Sequence, residues 1–347
     1  MIRKWLAIGI ILLFVGVTIA PTMAQDTEKS QPTSRGNWLY VGGSGPGNYT
    51  RIYYALLNAH DGDTIFVYNG FYHESVFIEM ELTLIGEDKN NTIIEGAIRN
   101  VANHVTITGF TVQNDSGILI NTRDVLNPSP VQYVSIHNMI VKDNIYGLKL
   151  YTVDACEFHD NILMNNKESG IWIIGHTGHN SFHNNTITNN PIGIYFHIVE
   201  SGTNIFEYND IRTNEVGIEL YFKYSVDAIN IFQSNNFIKN KRAVRSFSSM
   251  KLSDVMSNPS MLQPQETWDA NYWDAWKIPL PRPICSLTSF YLKAPDTTSS
   301  TINTRIIPMV TPRDFLDGER LDFGRFPSIY FDRNPAQEPY DILGMSG

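Results

Sequence analysis

Three histidines and a glutamate occupy matching places in this chain. Each follows an apolar residue: Ile136-His137, Phe158-His159, Phe182-His183 and Phe206-Glu207, with Phe232-Gln233 continuing the series. If each repeat is one turn of a coil, successive members lie about 4.8 Å apart. Imidazoles so placed are candidate ligands for a transition metal such as copper or zinc. A structural reading competes with this one. A place beside an inward apolar residue suits any polar side chain, and imidazole stacks well on imidazole. A second series is aromatic and charged: Lys149, Trp172, Tyr195 and Glu219, with Arg245 beyond and Tyr151 and Tyr221 two residues on from their own series members. Rings suit sugar faces and charges suit hydroxyl or uronate groups, so Lys149, Tyr151, Trp172, Tyr195, Glu219 and Tyr221 are the candidate carbohydrate-binding residues. The competing reading is that the C-terminal tail covers this face.

Both series depend on a repeat that must position them. Glycine, an aliphatic residue, any residue and an apolar residue recur five times, at Gly117-Ile118-Leu119-Ile120, Gly147-Leu148-Lys149-Leu150, Gly170-Ile171-Trp172-Ile173, Gly193-Ile194-Tyr195-Phe196 and Gly217-Ile218-Glu219-Leu220. A period near 23 residues signals a solenoid. Each coil has a strand ending at Ile136, Phe158, Phe182, Phe206 or Phe232. A second strand holds Ile140, Ile162, Ile187, Ile211 or Phe237, and an asparagine corner follows at Asn144, Asn166, Asn190, Asn214 or Asn240. The glycine phrase supplies the third strand. Short strands wound at constant period between polar corners make a parallel β-helix. Asparagine is expected to take left-handed backbone at these corners and to bond the coils above and below as a ladder. Glycine is expected to permit the bend before the third strand.

Upstream, Asn37–Val41 reads as a first strand, and Thr50 as the N-cap of a short helix reaching about Ala59, which would close one end of the stack. Coils are expected over 63–247. The segment 248–347, rich in proline, reads as a C-terminal cap and an irregular tail laid along the rod, with Trp268, Tyr272, Trp273 and Trp276 covering the last coil. Residues 25–36 read as a polar linker.

Residues 1–24 read as a signal peptide: Arg3 and Lys4, then an apolar run from Leu6 to Ala20, then small residues before a cleavage site between Ala24 and Gln25. An uncleaved anchor is the alternative; no later stretch is long and apolar enough to span a membrane. Export to a secreted, cell-surface or periplasmic place is therefore expected. The formal net charge is −9, which argues against a nucleic-acid partner bound through phosphates. Asn48, Asn90, Asn114 and Asn184 each begin an Asn-x-Ser/Thr triplet, a glycosylation acceptor or a chance product of an asparagine-rich chain. Of the two cysteines, Cys156 falls at an inward position and reads as a buried free thiol, with a disulfide to Cys285 as the alternative.

The glycine and asparagine phrases resemble the right-handed parallel β-helix repeats of pectate lyase-like proteins. Asn271-Tyr272-Trp273-Asp274-Ala275-Trp276 resembles the aromatic signature after the last coil of NosD-like proteins, with Ala275 departing from the usual aspartate. Gly47-Asn48-Tyr49-Thr50 with Asp61-Gly62-Asp63-Thr64-Ile65 is similar to the opening cap of the same proteins. The resemblance spans about 38–276 and implies a right-handed β-helix. It implies activity less narrowly: polysaccharide lyases, hydrolases and epimerases occur in the superfamily, and NosD itself assists copper-site assembly. The polygalacturonase signatures are absent; Gly175-His176-Thr177-Gly178-His179 is the nearest approach. Calcium-dependent lyases need clustered carboxylates and an arginine base, and Arg282-Pro283 stands without the rest of such a motif. Glu157, Asp160, Glu207, Glu215 and Glu219 are candidates for a glycosidase pair. The expectation is thus a glycan-binding or structural surface protein. The alternatives are a polysaccharide-modifying enzyme or a copper accessory protein using the histidine column, and any cofactor would be a divalent cation: copper, zinc or calcium.

Overall fold

A computed structural model describes residues 36–121, 129–175, 177–198, 202–222, 230–251, 266–274, 282–293, 320–332 and 335–340. The chain winds as a right-handed parallel β-helix, each coil adding one strand to each of three long sheets. The first sheet runs from Trp38–Val41 to Glu266–Asp269, the second from Gly70–Tyr72 to Tyr272–Trp273, and the third from Val76–Ile78 through Arg242–Lys251. A two-stranded strip, Val131–Gln132 with Val153–Asp154, lies between the third sheet of one coil and the first sheet of the next.

Alternation along each strand decides what is inside. Phe158, Phe182, Phe206 and Phe232 are buried and stack with ring centroids 4.8, 4.4 and 4.9 Å apart. Burying a side chain of this size is worth about 1.5–3 kcal/mol. Trp268 and Trp273 continue these inward ladders, 4.4 Å from Phe232 and 4.1 Å from Phe237. They do not lie across the last coil from outside, as the sequence suggested; they are the core of a further coil.

The third sheet also extends past 247. Arg242–Lys251 keeps the register of Val216–Phe222, then Arg282–Lys293 pairs parallel to it and Arg320–Asp332 pairs antiparallel beyond that. The tail is therefore more regular than its proline content implied, because an open sheet edge accepts any extended segment. Residues 335–340 lie against the second sheet, where Tyr340 exchanges backbone bonds with the Asn236 side chain at 2.8 and 2.9 Å.

The helix spans Ile52–Asn58. Thr50 does not cap it. Glu74, from a neighbouring coil, accepts from the Ile52 and Tyr53 amides at 3.0 Å each and faces Arg51. A buried carboxylate thus satisfies the free amides of the helix start, a long-range cap that local sequence rules do not see.

The glycine phrase has a different cause from the one expected. Gly117 alone among the five has positive φ, at 89°. At Gly193 a Cβ would stand 2.4 Å from the carbonyl oxygen of Gly217 in the next coil, and at Gly147 2.2 Å from that of Gly170. The coils approach too closely there for any side chain.

The asparagine corners form the expected ladder, with one correction. Asn166 donates to Asn190 at 3.1 Å, Asn190 to Asn214 at 3.3 Å and Asn214 to Asn240 at 3.1 Å, while the Asn144 amide donates to Asn166 at 3.2 Å. The left-handed residue is the one before each: Asp143, Asn165, Asn189, Thr213 and Lys239. A second ladder escaped the sequence reading: Asn161, Asn185, Asn209, Asn235 and Asn271, linked at 3.1, 3.0, 2.9 and 3.0 Å. A third joins Asn180, Asn204 and Asn230 at 2.8 and 2.9 Å. Cys156 takes the equivalent place one coil before Asn180; it is free and buried, and burial pushes its thiol up to about 11. It has no reactive thiolate at neutral pH.

Candidate functional site

The outward column of the third sheet forms as expected and is longer than expected. Register places Phe77, Arg99, Leu119, Lys149, Trp172, Tyr195, Glu219 and Arg245 on consecutive coils. Phe77 and Arg99 precede the glycine phrase, so the phrase could not reveal them. Tyr151, Ile174, His197 and Tyr221 form the parallel column two residues on.

This strip is continuous but not bare. Trp172 is half-buried, with Tyr146 at 4.8 Å, Tyr195 at 5.6 Å and the Lys149 ammonium 4.5 Å from its ring centre. Glu219 pairs with Arg245. Residues one coil apart lean on one another, with the Trp172 ring tilted 58° to Tyr146 and 40° to Tyr195. Burial lowers the Lys149 pKa; burial, then Glu219 and Tyr221, raises that of Tyr195. The described tail strands join the far edge of the third sheet and residues 335–340 join the second sheet, so neither of these described segments takes the competing course over Trp172.

The histidine column forms too. His137, His159 and His183 stack with centroids 4.8 Å apart and ring planes within 5° of parallel. Glu207 follows and accepts from Gln233. The His159 Nδ1 lies 2.7 Å from Asp160, His183 Nε2 3.8 Å from Glu157, and His137 Nδ1 3.2 Å from the Thr108 hydroxyl. Ring-nitrogen lone pairs lie in the ring plane, so parallel rings aim them side by side. Two nitrogens on one ion stand at most about 4 Å apart, given metal–nitrogen bonds of about 2 Å. The stack does not fit a shared ion, and no group of three or more potential ligands gathers among the described residues.

The stack carries a pH dependence. Burial, then the neighbouring His159 charge, lowers the His137 pKa, opposed by Asp160 and Glu157. The folded chain thus holds His137 neutral where the unfolded chain protonates it. This contribution is complete above the unfolded value near 6.5 and shrinks as pH falls through it. The melting temperature is expected to fall between pH 7.5 and 5.5, and His137→Gln to flatten that fall; an unchanged slope would remove the assignment.

Of the candidate glycosidase carboxylates, Glu207 ends the histidine column. Glu157 and Asp160 flank the histidines, Glu215 faces Lys241 at 3.7 Å, and Glu219 is engaged by Arg245. His176 and Ala275 lie outside the described residues, and of Arg282 only the strand position is described.

A coil array closed by Asn271-Tyr272-Trp273 is now in place, and the sequence matches the family described as Periplasmic copper-binding protein (NosD) over residues 56–276. The chain belongs to the NosD family. Within the NosD match fall both outward columns and every asparagine of the ladders. No curated protein matches the sequence. Among solved structures, pectin methylesterase PemA from Erwinia chrysanthemi is similar at 14% identity over 69% of this chain and 90% of that one, with a TM-score of 0.36. The A-module of mannuronan C-5 epimerase AlgE6 from Azotobacter vinelandii is similar at 14% identity over 56% of this chain and 85% of that one, with a TM-score of 0.29.

Proposed function

We propose that this NosD family protein acts outside the cytoplasm as a glycan-binding rod. One observation carries the reading: the third sheet sets Lys149, Trp172, Tyr195, Glu219 and Arg245 in a single row at coil spacing. Such a row offers ammonium, phenol and carboxylate groups at regular intervals along a face, which suits a chain of repeating hydroxylated units. Trp172 holds Lys149 and Tyr195 in place; the polar edges beside it meet the ligand. Tyr151 and Tyr221 widen the same face. The family description names copper, and the histidine column is where an ion would be sought, but parallel rings 4.8 Å apart weigh against it.

A glycan array with the full chain tests the reading. Binding is expected in the wild type and a loss of about tenfold in Trp172→Ala, which removes the ring that orders its neighbours. Equal binding by the two proteins would sink it.

A further inference from the structure

We propose that the corner holding Tyr133, Asp154 and His179 is a stacking subsite for one neutral pyranose ring of a polysaccharide. This rests on the glycan-binding reading and gives it a site with an exposed ring, whereas Trp172 is half-buried.

Successive coils turn into the first sheet through one left-handed residue: His104, Tyr133, Ala155 and His179, with φ of 54, 56, 52 and 54°. Side chains at this place project outward at coil spacing. His104 and Tyr133 stack at 4.8 Å with planes 18° apart. The next position is Ala155, a methyl where a third ring would stand. His104 stacks on Tyr133, no second ring stacks on it among the described residues, and Tyr133 is 54% exposed.

Polar groups frame the gap. Asp154 lies beside Ala155; its Oδ2 accepts from Gln132 at 2.9 Å and its Oδ1 lies 2.8 Å from His179 Nδ1. That bond sets the imidazole and leaves Nε2 to a ligand, while each carboxylate oxygen keeps a lone pair for a hydroxyl. A Cβ on Gly202 would stand 3.2 Å from the His179 ring, so glycine there gives the imidazole its seat. Tyr151 is three residues upstream on the same coil, which connects this corner with the third-sheet face.

A flat ring at the level of Ala155 would sit about 4.8 Å from Tyr133, the spacing at which His104 already stacks. A pyranose supplies an apolar CH face for the phenol and hydroxyl donors for Asp154. A uronate would instead bring a carboxylate to a carboxylate on a chain of net charge −9, so the subsite is assigned to neutral sugars.

Calorimetry of the full chain with cellohexaose, mannohexaose, xylohexaose and hexagalacturonate tests this. At least one neutral hexasaccharide should bind, and hexagalacturonate more weakly. Tyr133→Ala should weaken binding about tenfold. Ala155→Tyr fills the gap with a ring at a backbone position that already carries His and Tyr in other coils, so it should block binding as strongly with no loss of melting temperature. Wild-type binding that Ala155→Tyr leaves unchanged overturns the subsite and leaves the glycan-binding reading standing. No binding of any of the four by the wild type overturns both, and a preference for hexagalacturonate overturns the neutral assignment.

Discussion

Asn185→Leu is expected to destabilise the rod by about 4 kcal/mol, although leucine branches at the same atom. Asn185 is fully buried; it donates to the Phe158 carbonyl at 2.8 Å and to Asn209 at 3.0 Å, and its oxygen accepts from both nitrogens of Asn161 at 3.1 Å. Leucine removes all of these at once. The Asn161 amide and the Phe158 carbonyl then stay buried without a partner, at about 1–3 kcal/mol for each orphaned group. The loss is shared along the ladder, so Asn185→Leu with Asn209→Leu should cost less than the sum of the two. Urea unfolding of the three variants measures this; a loss below about 1 kcal/mol for Asn185→Leu would mean that the ladder follows the fold without supporting it.

Asp332→Ala is the second large effect, of about 3 kcal/mol, confined to one end. Asp332 comes from the antiparallel tail strand and is fully buried; its Oδ2 accepts from Trp273 Nε1 at 2.7 Å and from the Asn271 amide at 3.2 Å. Alanine strands both donors in the core of the last coil. Hydrogen exchange should lose protection at Asn271, Tyr272 and Trp273 while coils near Asn161 keep theirs. Asp332→Asn retains an acceptor and should lose much less. Equal loss in both would assign the effect to charge rather than to the hydrogen bonds.

Much of the fold was legible because a solenoid writes its period into the chain. Phe158, Phe182, Phe206 and Phe232 stand one coil apart in both sequence and space, and the corner asparagines line up as their spacing implied. What escaped was long-range or non-repeating. Glu74 caps a helix more than twenty residues away, so no local rule places it. The ladder through Asn185 hid among abundant asparagines, although Asn-Asn at 184–185 and 189–190 was a readable sign that one residue of each pair turns and the other is buried. The tail strands repeat nothing, and proline content mistook extended chain for irregular chain. For the candidate site, the columns were legible but their exposure was not. Exposure depends on how side chains of adjacent coils lean on one another, as Lys149 does on Trp172. The Tyr133 corner went unremarked because its signal is a missing ring at Ala155, which a search for conspicuous residues passes over.

The asparagines of the long ladder point one way. From Asn161 to Asn235 each side-chain amide donates to the oxygen of the coil nearer the C-terminus, which gives the rod a direction, like a filament with unlike ends. Aligned amides polarise one another, so the far end offers donors ready for one more coil from any chain that could supply an acceptor. Asp332 fills that place with a group that accepts and, when ionised, has nothing to donate. It ends the series: the place where a further asparagine would stand holds a side chain that takes the last bonds and passes none on.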